Sequence, residues 1–278
     1  MFLDYFPPSP AYRRLLTMHA LVRAAGQPIA ALVPAMLPNL HIRLRGHSTY
    51  VFADGRRVAA PAVSLIGPTN GAYRFELSPD ALIVGTGLLP LGWLTLVRCP
   101  AAALADDVVD GAAVWGPRAC ERACARLQET PRDGGHIRIT EALLACPERR
   151  VRHLDHLRAA DRWLEGARTL AVEDLRAEMG VGRRQLQRIM LDIYGVTPKG
   201  LAMKYRALRA AARLAGGGAV PIRDVLAHYA DQPHLTRNFR RFLGVTPGAF
   251  LQDSAAAAAA TMIGRRRAGA MRPLVLWS

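Results

Sequence analysis

Gly195-Val-Thr-Pro198 recurs as Gly244-Val-Thr-Pro247, an offset of 49 residues. The residues before each copy repeat too: Leu186 aligns with Leu235, Arg188 with Arg237, Met190 with Phe239 and Ile193 with Phe242. Apolar side chains three, four and seven apart fall on one stripe of a helix. A glycine after the last turn stops such a helix, and a proline three residues on opens the next. Each copy therefore reads as an amphipathic helix, a glycine stop and a proline start. Upstream of the first copy, Val172 to Met179 reads as a short amphipathic helix, and Gly180-Val-Gly182 as a tight turn. Short helix, turn and second helix make a helix-turn-helix. Upstream of the second copy, Ile222, Val225, Leu226 and Tyr229 form a similar stripe.

The outward faces of the two repeated helices are polar and basic. The first carries Arg183, Arg184, Gln187 and Arg188; the second carries Gln232, His234, Thr236, Arg237, Arg240 and Arg241. These residue types contact base edges and phosphates. A lone basic helix face is most simply a solvated one, but two copies, each behind a turn of suitable length, favour DNA. Charge agrees. Lys+Arg number 37 against 22 Asp+Glu, a formal net charge of +15, and only Lys199 and Lys204 are lysines. Arginine's planar fork suits phosphate and guanine. Residues 1–150 hold 16 basic and 12 acidic side chains and residues 151–278 hold 21 and 10, so the excess lies in the C-terminal half. Between the copies, Pro198 to about Ala215 reads as one helix, with Leu201, Tyr205, Leu208 and Leu214 buried. About 18 residues at 1.5 Å each give roughly 27 Å, near the ~34 Å between successive major-groove turns.

The segment from about His153 to Asp253 resembles the DNA-binding domain of the AraC/XylS family of bacterial transcription regulators. The resemblance rests on Leu186-Gln-Arg-Ile-Met…Gly195-Val-Thr-Pro198 and on Tyr229-Ala-Asp-Gln-Pro-His-Leu-Thr-Arg-Asn-Phe-Arg-Arg-Phe-Leu-Gly-Val-Thr-Pro247. It implies a seven-helix domain, two helix-turn-helix units joined by a long helix, and DNA contact by the outward residues named above. It also implies an N-terminal domain that senses a small molecule, dimerises, or both.

At 278 residues the chain is about twice a typical domain, which favours two domains. From Pro28 the first half breaks into short apolar segments. His41 to Arg45 alternates strictly, Tyr50 to Ala53 meets the turn pair Asp54-Gly55, and further strands are expected at Ala62–Ile66, Ala72–Leu77, Ala81–Val84 and Trp93–Val97. Tyr12 to Ala24 fits a helix or a strand. Helices are expected at Ala101–Val109, Pro117–Leu127 and Ile137–Ala145. The fold class is α+β: an N-terminal small β-barrel or sandwich, cupin-like, with helices, followed by an all-α domain. The expected division is a sensor or dimerisation domain at 1–146, a linker at 147–152, a DNA-binding domain at 153–253 and a tail at 254–278.

No chemistry of catalysis or metal binding emerges. Two lysines in this context exclude a P-loop; Gly85-Thr-Gly87 lacks the third glycine of a dinucleotide loop; and neither H-E-x-x-H nor G-x-S-x-G occurs. His41 and His47 read as surface or satisfied histidines, and Asp106, Asp107 and Asp110 as a helix N-terminal cluster. Cys99, Cys120, Cys124 and Cys146 fit no zinc module, with Cys120 and Cys124 read as core residues. No catalytic residue, cofactor or metal is expected, and no ligand-binding residue can be named. The expected protein is soluble, cytoplasmic and not an enzyme. Its partner is double-stranded DNA, with RNA polymerase, a small-molecule effector and a homodimer as open candidates. Two alternatives are a DNA-repair methyl acceptor fused to the same domain, and a helical module that contacts only proteins.

One stretch departs from the family. Asp224-Val-Leu-Ala-His-Tyr229-Ala-Asp-Gln232 is about two residues shorter than the usual D-V-A-x-x-x-G-Y-x-D-Q and lacks its glycine. Two residues rotate a helix by about 200°, so the supporting helix of the second unit is expected to be short, strained or displaced. Leu235, Phe239 and Phe242 stay in phase, so its recognition helix is expected to persist.

Overall fold

The computed structural model describes residues 2–130, 134–145, 151–166, 169–215, 229 and 232–254. Cys146, most of the expected linker, the tail and the segment 216–228, with the shortened turn, lie outside these residues.

Ten strands build two antiparallel sheets. They are β1 (Phe2–Phe6), β2 (Leu16–Arg23), β3 (Ile29–Val33), β4 (Asn39–Arg45), β5 (Ser48–Val51), β6 (Arg57–Ala59), β7 (Val63–Ile66), β8 (Tyr73–Leu77), β9 (Leu82–Leu88) and β10 (Val108–Asp110). One sheet runs β1-β2-β9-β4-β7-β10 and the other β3-β8-β5-β6. Alternation decides what each strand faces. In β4, Leu40 and Ile42 join a core with Cys120, Leu127, Ile139 and Leu143 from the helices α3 (Pro117–Glu129) and α4 (Gly135–Leu143). Between the sheets lies a second core rich in aromatics, where Tyr50 stacks on Phe75 at 4.8 Å. The N-terminal domain is thus three layers: helices, six-stranded sheet, four-stranded sheet.

Within Tyr12 to Ala24, Leu16–Arg23 is a strand, β2, paired with both β1 and β9, while Tyr12 ends a 3₁₀ turn. Two expected elements changed type. Trp93–Val97 is not a strand. Pro90 opens the short helix α1 (Pro90–Gly92), which runs into a π-helical turn at Trp93–Val97, where Trp93 is buried and donates from Nε1 to the Cys99 carbonyl at 2.9 Å. Apart from Thr95, whose hydroxyl donates to the Leu91 carbonyl, the segment is apolar, and such a run carries no clear period to separate strand from helix. Ala101–Val109 is not one helix. It is a single 3₁₀ turn, Ala101–Leu104, followed by the edge strand β10, which pairs with β7. The aspartates consequently part company. Asp106, at φ +54°, accepts from the Asn70 amide, Asp107 pairs with Arg56, and Asp110 caps Ala112 at the start of α2 (Ala112–Trp115). Cys120 is buried and Cys124 half-buried.

The C-terminal part is helical among the described residues: α5 (Leu154–Gly166), α6 (Val172–Met179), α7 (Arg183–Tyr194), α8 (Pro198–Ala215), α9 (Gln232–Leu243) and α10 (Pro247–Ala249), continued by a π-helical turn to Ser254. No helix among the described residues is long and apolar enough to cross a membrane.

Two buried histidines set a pH dependence. His19 lies between Thr86 Oγ1 at 2.8 Å and Glu141 Oε1 at 3.4 Å, and burial outweighs the carboxylate, holding the ring at about 4. Burial alone holds His41 at about 4. Both contacts are therefore hydrogen bonds of neutral rings at pH 7. The unfolded chain binds these protons near 6.5, so between about pH 4 and 6.5 it holds more protons than the native state and stability rises with pH. Melting temperatures should fall as pH drops from 7 to 4.5, and His41→Gln should flatten the slope. A flat profile in the wild-type chain would contradict the assignment.

Candidate nucleic-acid interface

The repeat seen in the sequence is a structural repeat. α7 and α9 are each 12 residues long, and their first and last residues keep the sequence offset. Each ends at a left-handed glycine, Gly195 at φ +69° and Gly244 at φ +78°, a conformation that a side chain resists. The first unit is complete. α6 stops at Gly180, φ +63°, whose amide and that of Val181 bond back to Ala177 and Arg176. α7 follows two residues later. Leu186, Ile189, Met190 and Ile193 bury the inner face of α7 against Leu157, Trp163, Leu175, Leu201 and Tyr205. Leu235, Phe239 and Phe242 do the same for α9 against Ala207, Leu208, Ala211 and Leu214.

Burying those stripes forces the other faces outward. Arg183, Arg184, Gln187 and Arg188 are exposed on α7, as are Gln232, Arg237 and Arg240 on α9. Arg183 pairs loosely with Glu173 at 3.4 Å. Among the described residues Arg184, Arg188, Arg237 and Arg240 have no ion-pair partner, so their guanidinium groups remain available to an anion. Three of the ten expected positions sit differently. Thr236 is half-buried. His234 is half-buried, edge-on to Tyr229 at 5.6 Å and 3.3 Å from Asn238 Nδ2. Arg241 is exposed but already engaged: its guanidinium lies over Phe242 at 5.0 Å and donates from Nε to the Asn70 carbonyl at 3.3 Å, in the N-terminal domain.

That contact belongs to an interdomain joint that the sequence analysis missed. Residues 35–36 and 69–72 of the N-terminal domain touch α7, α8 and α9 together. The Ala35 amide donates to the Phe242 carbonyl at 2.7 Å, the Ala72 amide to Arg241 at 2.8 Å and Asn70 Nδ2 to Gly195 at 3.1 Å. Lys204 of α8 is buried and donates from Nζ to Met36 and Thr69 carbonyls, both at 2.8 Å. A signal was present: Lys204 shares a stripe with Leu201, Tyr205 and Leu208, and it is one of two lysines among 37 basic side chains.

The N-terminal domain also holds a cavity of about 160 Å³ between its sheets, lined by residues of β1, β2, β3, β4, β8 and β9 with Met36. Gly85 and Gly87, both within β9, form part of its wall, and a Cβ on Gly85 would stand 3.4 Å from His41 Cδ2. Its polar lining includes Asn39, His41, Tyr5 and Tyr73, with no lysine or arginine.

α7 follows α6 across a glycine turn, and α9 repeats the length and the glycine stop of α7 at the far end of the shared spacer α8. Residues 175–253 match the family described as "Helix-turn-helix domain". No curated protein matches the sequence. Among solved structures, similarity is found to an apo point variant of ToxT from Vibrio cholerae, with 12% identity over 84% of this chain and 96% of that one and a TM-score of 0.47. Wild-type ToxT from the same organism bound to an unsaturated fatty acid matches at 12% identity over 90% and 94%, with a TM-score of 0.44. The AraC-like transcriptional activator CuxR matches at 14% identity over 76% and 87%, with a TM-score of 0.28.

The joint predicts unequal effects at two glycines of like conformation. Gly180 has open space where a Cβ would go, whereas a Cβ on Gly195 would stand 2.7 Å from Pro68 Cγ and 3.0 Å from the Ala101 carbonyl. Gly180→Ala should cost only the left-handed strain, about 1–2 kcal/mol. Gly195→Ala should cost clearly more in denaturant unfolding of the full chain; equal losses would show that the joint does not constrain this cap.

Proposed function

We propose that the chain is a sequence-specific, effector-responsive regulator that lays α7 and α9 into successive major grooves of one DNA duplex. The observation that carries this reading is the pair of equal helices with outward Arg184, Gln187, Arg188, Arg237 and Arg240, joined by the 18-residue α8. At 1.5 Å per residue α8 spans roughly 27 Å, of the order of the ~34 Å groove repeat. Genome-wide mapping of bound DNA gives the operator. On that operator, Arg184→Ala and Arg237→Ala should each cost ~1–3 kcal/mol and relax base preference. Affinity should fall by ~0.9 log units per phosphate contact for each log unit of salt. A flat response between 50 and 200 mM salt, or unaltered base preference in both variants, would sink the reading.

The effector-responsive part rests on the inter-sheet cavity. Burial keeps His41 neutral, with Nδ1 bonded to Tyr50 Oη at 2.8 Å, and Tyr73 is likewise held protonated. A pocket without a cation suits a neutral, mostly apolar molecule with one polar atom; ~150 Å³ admits a single aromatic ring, and a second fused ring enters as the adaptable Met36 side chain in the wall gives way. Quinoline, neutral at pH 7.5, should raise the melting temperature of the full chain, and Gly85→Leu, which fills the cavity from its β9 wall, should abolish the shift. No shift with quinoline or with other neutral aromatics would remove this part of the reading.

A further inference from the structure

A second cavity, of about 250 Å³, opens between the π-helical turn of the N-terminal domain and the first helix-turn-helix unit. Residues 94, 95 and 98–100 form one side, and residues 151–153 with Asp192 of α7 form the other. Its described lining shares no residue with the inter-sheet cavity or with the Lys204 joint. Two of its residues are held in the left-handed region, Arg98 at φ +65° and His153 at φ +60°. Among the described residues only Asp106 and Leu170 are the other non-glycines there. Arg98 ends the π-helical turn, its amide bonded to the Trp93 carbonyl at 3.3 Å, and His153 opens α5 by accepting from the Leu157 amide at 2.8 Å. Elsewhere this chain gives such a stop to glycine, as at Gly180, Gly195 and Gly244. Side chains kept in this sparsely populated conformation cluster at ligand clamps. The backbone at position 98 favours glycine, so what the position retains is the guanidinium.

The lining carries both signs of charge. Arg98 and Arg152 are exposed, and Arg152 has no ion-pair partner among the described residues. Asp192 is half-buried, with Oδ2 at 3.3 Å from His153 Nε2. Burial pushes the Cys99 thiol up, so the sulfur stays protonated and adds no charge. Leu94, Pro100 and Val151 supply the apolar lining. A ligand with a carboxylate alone would meet Asp192 with like charge. A ligand with an ammonium alone would meet two guanidiniums. A molecule that carries both groups satisfies both, and a guanidinium takes a carboxylate in a bidentate fork. A void of ~150 Å³ admits a benzene ring, so this larger one has room for a ring or branched chain with an amino-acid head.

We propose that this crevice binds a free α-amino acid with an apolar side chain: Arg98 and Arg152 take its carboxylate, Asp192 takes its ammonium, and Leu94, Pro100 and Val151 cover its side chain. The assignment is independent of the neutral ligand of the inter-sheet cavity and of DNA reading.

The test is a calorimetric titration of the full chain with three probes: L-phenylalanine, 3-phenylpropionate, which lacks the ammonium, and 2-phenylethylamine, which lacks the carboxylate. L-phenylalanine should bind, and each of the other two should bind at least about tenfold more weakly, the loss expected for one charge-assisted contact. Asp192→Asn should weaken L-phenylalanine and abolish its advantage over 3-phenylpropionate, a change of preference that a merely structural role would not produce. Arg98→Gly removes the guanidinium and relieves the left-handed backbone. It should weaken L-phenylalanine about tenfold without lowering the melting temperature of the ligand-free chain. No binding of any probe would overturn the site. In the wild-type chain, 3-phenylpropionate binding as tightly as L-phenylalanine would make it a plain anion site and overturn the role of Asp192. Undiminished L-phenylalanine binding in both Arg98→Gly and Asp192→Asn would place the ligand elsewhere and overturn the proposal. A lower melting temperature in Arg98→Gly with unchanged binding would make Arg98 a structural residue. Should Asp192→Asn fail to fold, Arg152→Gln, at an exposed position, is read for the same tenfold loss.

Discussion

Helix α8 has to bury two stripes at once, and the C-terminal architecture depends on its doing so. Leu201 and Tyr205 complete the core under α7, while Ala207, Leu208, Ala211 and Leu214 complete the core under α9. A 12-residue helix is marginal alone in water. Each recognition helix therefore exists because α8 gives its apolar side somewhere to go. The outward arginines are a consequence: once Ile189 and Met190, or Phe239 and Phe242, are fixed inward, the 3.6-residue period leaves Arg184, Arg188, Arg237 and Arg240 nowhere but solvent. This division of one helix between two cores also sets the spacing of α7 and α9.

Glycine is what allows the pieces to approach. Gly195 and Gly244 each stop a recognition helix in a left-handed turn, and both stops are also docking points. The α-carbon of Gly195 faces Pro68 and Ala101, and that of Gly244 faces Leu32 of β3, too closely for a side chain in either case. The residues that end α7 and α9 are thus the residues against which the N-terminal domain packs. Gly85 serves the opposite purpose: inside β9, where a side chain would fit sterically, its absence leaves volume between the sheets.

The basic residues divide by chemistry. Arginine, with its weakly hydrated planar fork, is used throughout the exposed surfaces. At the one described position where a cation is sealed inside the interdomain joint the residue is a lysine, whose compact ammonium fits between two carbonyls and loses its charge more readily on burial. Met36, one of those acceptors, also lines the inter-sheet cavity. The inter-sheet cavity, the joint and the ends of α7 and α9 are therefore in contact.

The sequence by itself determined whatever depends on local period and local backbone chemistry. The repeated stripe with its glycine stops located α7 and α9, the continuous apolar face of 198–215 located the spacer, and strict alternation with Asp54-Gly55 located β4 and the β5–β6 hairpin. The excess of arginine lies in the C-terminal half. Where a segment was apolar on every side, as at Trp93–Val97, or owed its form to a distant partner, as Val108–Asp110 does to β7, local pattern carried no information and the expectation failed. The interdomain joint was hidden for the same reason: Ala35, Thr69, Asn70 and Ala72 act through main-chain groups or short polar side chains, and every residue has a main chain. Only the tertiary structure could bring them to Lys204, Gly195 and Phe242. The cavity is likewise a property of two sheets set apart, since a void has no residue of its own in the sequence.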